Sequence, residues 1–291
     1  MCKIYVESEC VSMLLIIKAI IIGIVEGITE FLPISSTGHM ILVGNFIGFT
    51  NKIYPNPEYV NMFEVVIQLG AILAIVYLFW EKIWKSLIPK NLFIPGNYGF
   101  NLWSKMLVAF IPAAIIGVIF NDKIESKLNF PRPVAFALIV GGILMIVLEN
   151  RYRKGNGIRD IEGVNYKQAF IIGMFQCLSL WPGMSRSAST IMGAWIVGLT
   201  TSAAAEFSFF LAIPTMVAAS GYKLLKLKVA MSSIEIIALV VAFVVSFVVA
   251  LLVVDKFIAF LNKRKMRVFA IYRIIVGGLL LVLAFSNIIT M

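Results

Sequence analysis

Six stretches of the chain, at 60–80, 103–120, 132–148, 203–222, 232–254 and 268–290, are almost unbroken runs of apolar residues. Each approaches the roughly 20 residues that a helix needs to cross the hydrocarbon core of a bilayer. None alternates polar and apolar residues with the period of two that a membrane barrel requires, so the runs predict helices. With 60% hydrophobic residues and only 14% charged ones among 291, the composition lies outside that of a soluble globular domain. The expectation is an all-α integral membrane protein, a single membrane domain over 1–291.

The formal net charge of +10 does not mark a nucleic-acid footprint, because the basic residues sit mostly in short loops beside the apolar runs. No nucleic-acid partner is expected. Cys2, Cys10 and Cys177 offer neither metal-ligand spacing nor a disulfide framework, and a single histidine excludes a multi-histidine zinc site. The apolar run near the N-terminus leads into Glu26 and Glu30, without the small-residue cleavage site of a signal peptide.

The chain also repeats itself. Displaced by 150 residues, "AIIIGIVEGITEFLPISSTGHMI" (19–41) lies over "AFIIGMFQCLSLWPGMSRSASTI" (169–191), so that Gly23 meets Gly173, Glu26 meets Gln176, Ser35 meets Ser185 and Ser36 meets Arg186. Three weaker matches follow in the same order, bringing Glu64 onto Glu206, Asp122 onto Asp255 and "VGGIL" onto "VGGLL". The expected halves are 12–150 and 165–290. Each half reads as a short broken helix pair followed by three spans: Ser12–Leu32 with Thr37–Gly48, and Tyr166–Leu180 with Ser187–Leu199. The breaks fall at Pro33 and at Pro182-Gly183, where a helix cannot simply continue. The expectation is therefore about six transmembrane helices plus two re-entrant helix pairs. Three spans per half reverse the second copy, giving an inverted-topology repeat whose broken elements meet near the midplane. The loops of one face carry most of the basic residues, among them Lys82, Lys85, Arg151, Arg153, Arg264 and Lys265. That face is expected to be cytoplasmic, with both termini outside.

Carboxylates at membrane depth are costly and usually face a protein interior or a water-filled cavity. Glu26 and Glu30 stand four residues apart on one helical face, their side chains ~6 Å from each other. They could bind a divalent metal, share a proton or pair with Arg186; the bland alternative is a helix ending among lipid headgroups. After the break, Ser35, Ser36, Thr37 and Gly38 open a helix whose free N–H groups favour an anion. His39 follows, within reach of the Ser35 or Ser36 hydroxyl if the helix starts near Thr37. In the second copy Gly183, Ser185, Ser187 and Thr190 surround Arg186, a planar cation suited to phosphate. Acids, hydroxyls and an imidazole from one half, with a cation from the other, compose a phosphoryl-transfer site that neither half completes alone.

"EGITEFLPISSTGHM" (26–40) and "PGMSRSAST" (182–190) resemble the two signature motifs of the bacitracin-resistance family, the undecaprenyl-diphosphate phosphatases, and the resemblance extends over nearly the whole chain. Ala188 stands where that family usually has glycine, adding a methyl that would tighten the turn beside Arg186. The resemblance implies hydrolysis of undecaprenyl diphosphate to undecaprenyl phosphate and inorganic phosphate, which recycles the lipid carrier of peptidoglycan synthesis and confers bacitracin resistance. It further implies a multi-pass protein of the bacterial plasma membrane, catalysis at the outer face, a divalent cation (Mg²⁺ or Ca²⁺) and a homodimer.

On this reading Glu26 and Glu30 hold the cation and Arg186 neutralises the diphosphate. Ser36 is the favoured nucleophile, with Glu30 or His39 as base and His39 as proton donor; His39 itself or a metal-bound water are the alternatives. Ser35, Thr37, Gly38, Gly183, Ser185, Ser187 and Thr190 are expected to bind substrate. Glu64 and Glu206 are expected to brace the broken helices by hydrogen bonds. A polyprenyl-phosphate transporter or flippase is the rival function, since inverted repeats with broken helices also characterise transporters.

Overall fold

The computed structural model describes residues 2–49, 57–153, 157–226, 230–261 and 264–289. Among these, secondary structure is helical apart from one isolated bridge between Ile158 and Leu199. The helices are α1 (Cys2–Thr29), α2 (Ser36–Ile47), α3 (Pro57–Leu78), α4 (Trp80–Leu87), α5 (Pro89–Leu92), α6 (Tyr98–Leu128), α7 (Pro131–Tyr152), α8 (Tyr166–Gln176), α9 (Arg186–Ile196), α10 (Thr201–Lys226), α11 (Ser233–Leu261) and α12 (Arg267–Phe285).

Each of the six apolar runs falls for most of its length on one helix, α3, α6, α7, α10, α11 or α12 in turn. By length and composition seven helices, not six, are able to cross a membrane, the additional one being Ser12–Thr29 of α1. The sequence placed this stretch in a re-entrant pair starting at Ser12. In the structure the helix runs from Cys2, 28 residues or ~42 Å, which is longer than the hydrocarbon core. Its counterpart α8 has only 11 residues and passes into a 3₁₀ turn, Cys177–Leu180. α8 starts at a capping box, in which the Asn165 side chain accepts the Gln168 amide and the Gln168 side chain accepts the Asn165 amide. α2 and α9 have 12 and 11 residues, too short to span, and α2 stops at Gly48 in the left-handed region, φ 67°. The chain is thus an all-helical, multi-pass membrane protein.

Helices of the two halves are interleaved. α1 lies along α11, and a Cβ on Gly23 would stand 2.7 Å from the Ala242 carbonyl oxygen. In the other half α8 lies along α6, with Gly173 against the Ala109 carbonyl in the same way. α7 and α12 exchange the contact, Gly142 meeting Ala270 and Gly277 meeting Ala135. Helices in lipid gain little from hydrophobic exclusion, so association relies on such close backbone approach at small residues.

Beneath the two breaks lies Arg273 of α12, fully buried. Its guanidinium donates to the carbonyls of Pro33 at 3.3 Å, of Gly183 at 3.1 Å and of Met184 at 2.9 Å, and reaches Ala137 of α7 at 3.5 Å. Both breaks are therefore tied to one cation. Room for it depends on Gly141 of α7, where any Cβ would run into the guanidinium. Gly141→Ala is expected to lower stability in detergent by about 1–3 kcal/mol, the usual cost of overpacking. Gly278→Ala, whose methyl meets nothing within 4 Å, should leave the thermal unfolding midpoint nearly unchanged, and comparing the two midpoints checks the prediction.

Candidate active site

The two breaks use the same backbone device. Ser35 (φ 72°, ψ 105°) and Ser185 (φ 67°, ψ 122°) both occupy the positive-φ region that residues other than glycine rarely enter. Each cap hydroxyl accepts an amide three residues on, from Gly38 at 3.5 Å and from Ala188 at 3.3 Å. Each cap carbonyl accepts a side-chain hydrogen bond from four residues on, His39 Nδ1–H at 2.7 Å and Ser189 Oγ–H at 2.8 Å. Ser35 and Ser185 thus act as helix caps. Gly183, at φ 100°, lies where a Cβ would meet the Val134 carbonyl oxygen at 2.5 Å, which explains the glycine. Ala188 carries its methyl fully buried inside α9, and the Ser185 cap to its amide is intact.

This geometry sets Ser36, the first residue of α2, against the end of α1. The Ser36 hydroxyl donates to Glu30 Oε2 at 2.7 Å. From the second break Arg186 brings Nη2 to 3.7 Å from the other carboxylate oxygen, Oε1. That is an ion pair too long for a hydrogen bond. Arg186 Nη1 is held by the Ser208 carbonyl at 2.9 Å and hydroxyl at 3.3 Å, while Nε and Nη2 are buried with no hydrogen-bond partner. A buried guanidinium with N–H groups to spare is costly unless an acceptor arrives. The Gln68 side chain of α3 lines a cavity on the same side. Glu26, one turn earlier, is buried on the same face.

This cavity, of about 550 Å³, reaches Glu26, Ser36 and Gln68, with Glu30 and Arg186 behind its lining. Glu26, Ser36 and Thr37 line it together with Glu64 and Gln68 of α3. At its other end stand Asp122 and Glu125 from the end of α6 and Lys223 and Lys226 from the end of α10, with Met40, Ile41 and Val60 on an apolar wall. Charge and hydrocarbon are both accommodated.

The remaining residues expected at the site divide. Ser187 donates to the Leu32 carbonyl at 3.0 Å, and Thr190 Oγ1 lies within hydrogen-bonding distance of the Ser208 hydroxyl, 2.8 Å, and of the carbonyls of Arg186 and Ser187, 2.9 and 3.1 Å, so both are bound within the protein. Gly38 lets α2 approach Leu138 of α7, where a Cβ would stand 2.7 Å from a side-chain methyl. His39 makes no hydrogen bond to the Ser35 or Ser36 hydroxyl; its two ring nitrogens go to the Ser35 carbonyl and, at 2.7 Å, to the Tyr272 hydroxyl. Glu206 forms an ion pair with Lys82 of α4 at 2.6 Å, whereas its sequence counterpart Glu64 faces the cavity.

Four residues unremarked in the sequence belong to this assembly: Gln68, Ser208, Tyr272 and Arg273. Only Arg273 left a usable signal, a lone arginine within the apolar run at 268–290. Among the described residues no group of three or more His, Cys, Asp and Glu side chains is placed to hold a metal ion.

The family described as bacitracin resistance protein BacA matches residues 19–279. The chain is 51% identical, over 96% of its length and 99% of the relative's, to Undecaprenyl-diphosphatase 2 of Clostridium acetobutylicum. It is 54% identical to an Undecaprenyl-diphosphatase of Clostridium tetani, over 96% of this chain and 100% of that one. A third relative, the Undecaprenyl-diphosphatase of Caldanaerobacter subterraneus subsp. tengcongensis, is 55% identical over 96% of this chain and 99% of its own. A family match over residues 19–279 and identity at half of all aligned residues over nearly the full length of both chains leave one conclusion: the chain belongs to the bacitracin resistance protein BacA family.

Proposed function

We propose that this chain hydrolyses undecaprenyl diphosphate to undecaprenyl phosphate and inorganic phosphate, recycling the lipid carrier of cell-wall synthesis and conferring resistance to bacitracin. The observation that carries this reading is the Ser36–Glu30 hydrogen bond of 2.7 Å beside an Arg186 guanidinium ion-paired to the same carboxylate at 3.7 Å, with two buried nitrogens that make no hydrogen bond. A hydroxyl bound to a carboxylate is a nucleophile paired with its base, and a fork of free N–H groups suits phosphoryl oxygens.

In the proposed reaction the diphosphate enters the cavity with its terminal phosphorus in front of Ser36 Oγ. Glu30 takes the hydroxyl proton as Oγ bonds to phosphorus and the bridging P–O bond breaks, releasing undecaprenyl phosphate. Arg186 stabilises the charge spread over the equatorial oxygens. With that proton passed from Glu30 to solvent, water attacks the phosphoserine, Glu30 accepts the water's proton and returns it to Ser36 Oγ as the P–Oγ bond breaks, and phosphate departs with Ser36 restored. The leaving phosphate monoester has a second pKa near ~6 and needs little protonation to depart at neutral pH. Met40, Ile41 and Val60 would receive the first isoprenoid units.

A divalent cation fits this donor set in one way. Mg²⁺ is commonly held by one or two carboxylates together with substrate phosphates, without a full protein cage. Glu26 and Glu30 would hold it, and it would supply charge neutralisation for the diphosphate. The cavity's far end carries Asp122, Lys223 and Lys226, on the face opposite the basic loops of Lys85, Arg151 and Arg264, which supports an opening to the outer side of the plasma membrane. The matched cap geometry of Ser35 and Ser185 and the exchanged glycine contacts support two copies of one unit, inverted in the membrane.

Phosphate release by the purified protein in detergent tests the proposal. Ser36→Ala and Glu30→Gln should each lower kcat by at least about a hundredfold, and Arg186→Lys by about 10²–10³, the scale of a lost transition-state donor. Normal turnover in Ser36→Ala would remove the serine step while leaving the phosphatase reading standing. Chelation should abolish release, and added Mg²⁺ or Ca²⁺ should restore it; unaltered release under chelator would dismiss the cation.

A further inference from the structure

The internal repeat supplies a control for the only histidine of the chain. At the break before α9, the carbonyl of the positive-φ cap Ser185 accepts from Ser189 Oγ at 2.8 Å, and Ser189 is fully buried. At the break before α2, the carbonyl of the positive-φ cap Ser35 accepts from His39 Nδ1 at 2.7 Å. Positions 39 and 189 correspond in the repeat, so a side-chain donor four residues after the cap holds the carbonyl in both. His39 has a second nitrogen that a serine lacks. Nε2 lies 2.7 Å from the Tyr272 hydroxyl, and the two ring planes are parallel within 7°, their centroids 5.5 Å apart. A carbonyl can only accept, so Nδ1 carries a proton; in the neutral ring Nε2 is left to accept the Tyr272 O–H.

Tyr272 stands beside Arg273 on α12. Arg273 holds the Pro33 carbonyl, and Tyr272 reaches the Ser35 carbonyl through the imidazole. Residues 33–35 are thus held from α12 at two points, directly before Ser36 with its bond to Glu30. His39 is not among the residues lining the cavity, although its neighbours Ser36, Thr37 and Met40 are.

We propose that Tyr272 is a positioning residue of the diphosphatase site: by donating to His39 Nε2 it fixes the Nδ1–H form of the imidazole, which holds the Ser35 carbonyl and so sets Ser36 against Glu30. The kinetic part of this inference rests on the phosphatase reading above; the hydrogen-bond part does not.

Because the chain has one histidine, ¹⁵N-histidine labelling gives a single imidazole signature. In the wild-type protein in detergent the spectrum should show a protonated Nδ1 and a hydrogen-bonded, unprotonated Nε2. Tyr272→Phe removes one oxygen and keeps the ring; it should move the Nε2 resonance downfield, away from the hydrogen-bonded position, and lower kcat about tenfold, the effect of one lost hydrogen bond, with KM within about twofold. Tyr272→Leu, which removes the ring together with the hydroxyl, should lower kcat at least as far with the same direction of spectral change. An Nε2-protonated tautomer in the wild type, or a Tyr272→Phe spectrum identical to it, overturns the hydrogen bond. A moved resonance with undiminished kcat overturns the positioning role. If the wild-type protein releases no phosphate at all, the phosphatase reading fails instead, and the labelled spectra still decide the bond.

Discussion

One buried cation organises this molecule. The Arg273 guanidinium, without a carboxylate partner among the contacts it makes, is held at both terminal nitrogens by carbonyls from the two chain breaks and from α7, while its Nε makes no hydrogen bond. Burying a charge in this way is expensive, and it is tolerable only because several dipoles point at it. Three of these carbonyls, of Pro33, Gly183 and Met184, belong to residues at the breaks, outside any helix. Their hydrogen-bonding capacity has to be met by something in a medium with no water. The guanidinium meets it on both sides at once, so each break is held relative to the other and not merely to its own helix.

That shared anchor explains why the catalytic groups meet. Ser36 and Arg186 each begin a short helix directly after a positive-φ serine. With both caps oriented alike and both turns resting on α7 and α12, the hydroxyl of one half and the cation of the other converge on one carboxylate, Glu30. The convergence is asymmetric. Glu206 is neutralised by Lys82 at 2.6 Å, while Glu64 and Glu26 face a cavity, and Gln176 stands where Glu26 has a carboxylate. Only one of the two related places therefore carries the chemistry.

Much of the helical order was legible beforehand, because lipid demands long apolar runs and each of the six produced a helix. α1 was read too short because the residues before Ser12 are mixed in polarity, yet they continue the helix. α4 was not anticipated: with Trp80 and Trp84 outward and Ile83 and Ser86 inward, its polarity is that of an interfacial turn, not a span. At the site, Glu30, Ser36 and Arg186 were legible from two motifs and their 150-residue echo. The tasks of Ser35, Ser185, Ser187 and Thr190 were not, because a serine or threonine that caps a helix and one that binds a phosphate have the same one-letter record.

By itself the sequence determined that the chain crosses a bilayer, that it breaks at two prolines, and that the acids, hydroxyls and arginine accompany those breaks. These follow from composition and local backbone chemistry, which act over a few residues. Only the tertiary structure decided which groups touch: that His39 turns to Tyr272, that Arg186 meets Glu30 with two nitrogens making no hydrogen bond, and that Arg273 joins the halves. Such contacts link residues up to 240 positions apart, and no local preference records a partner that the fold alone brings near.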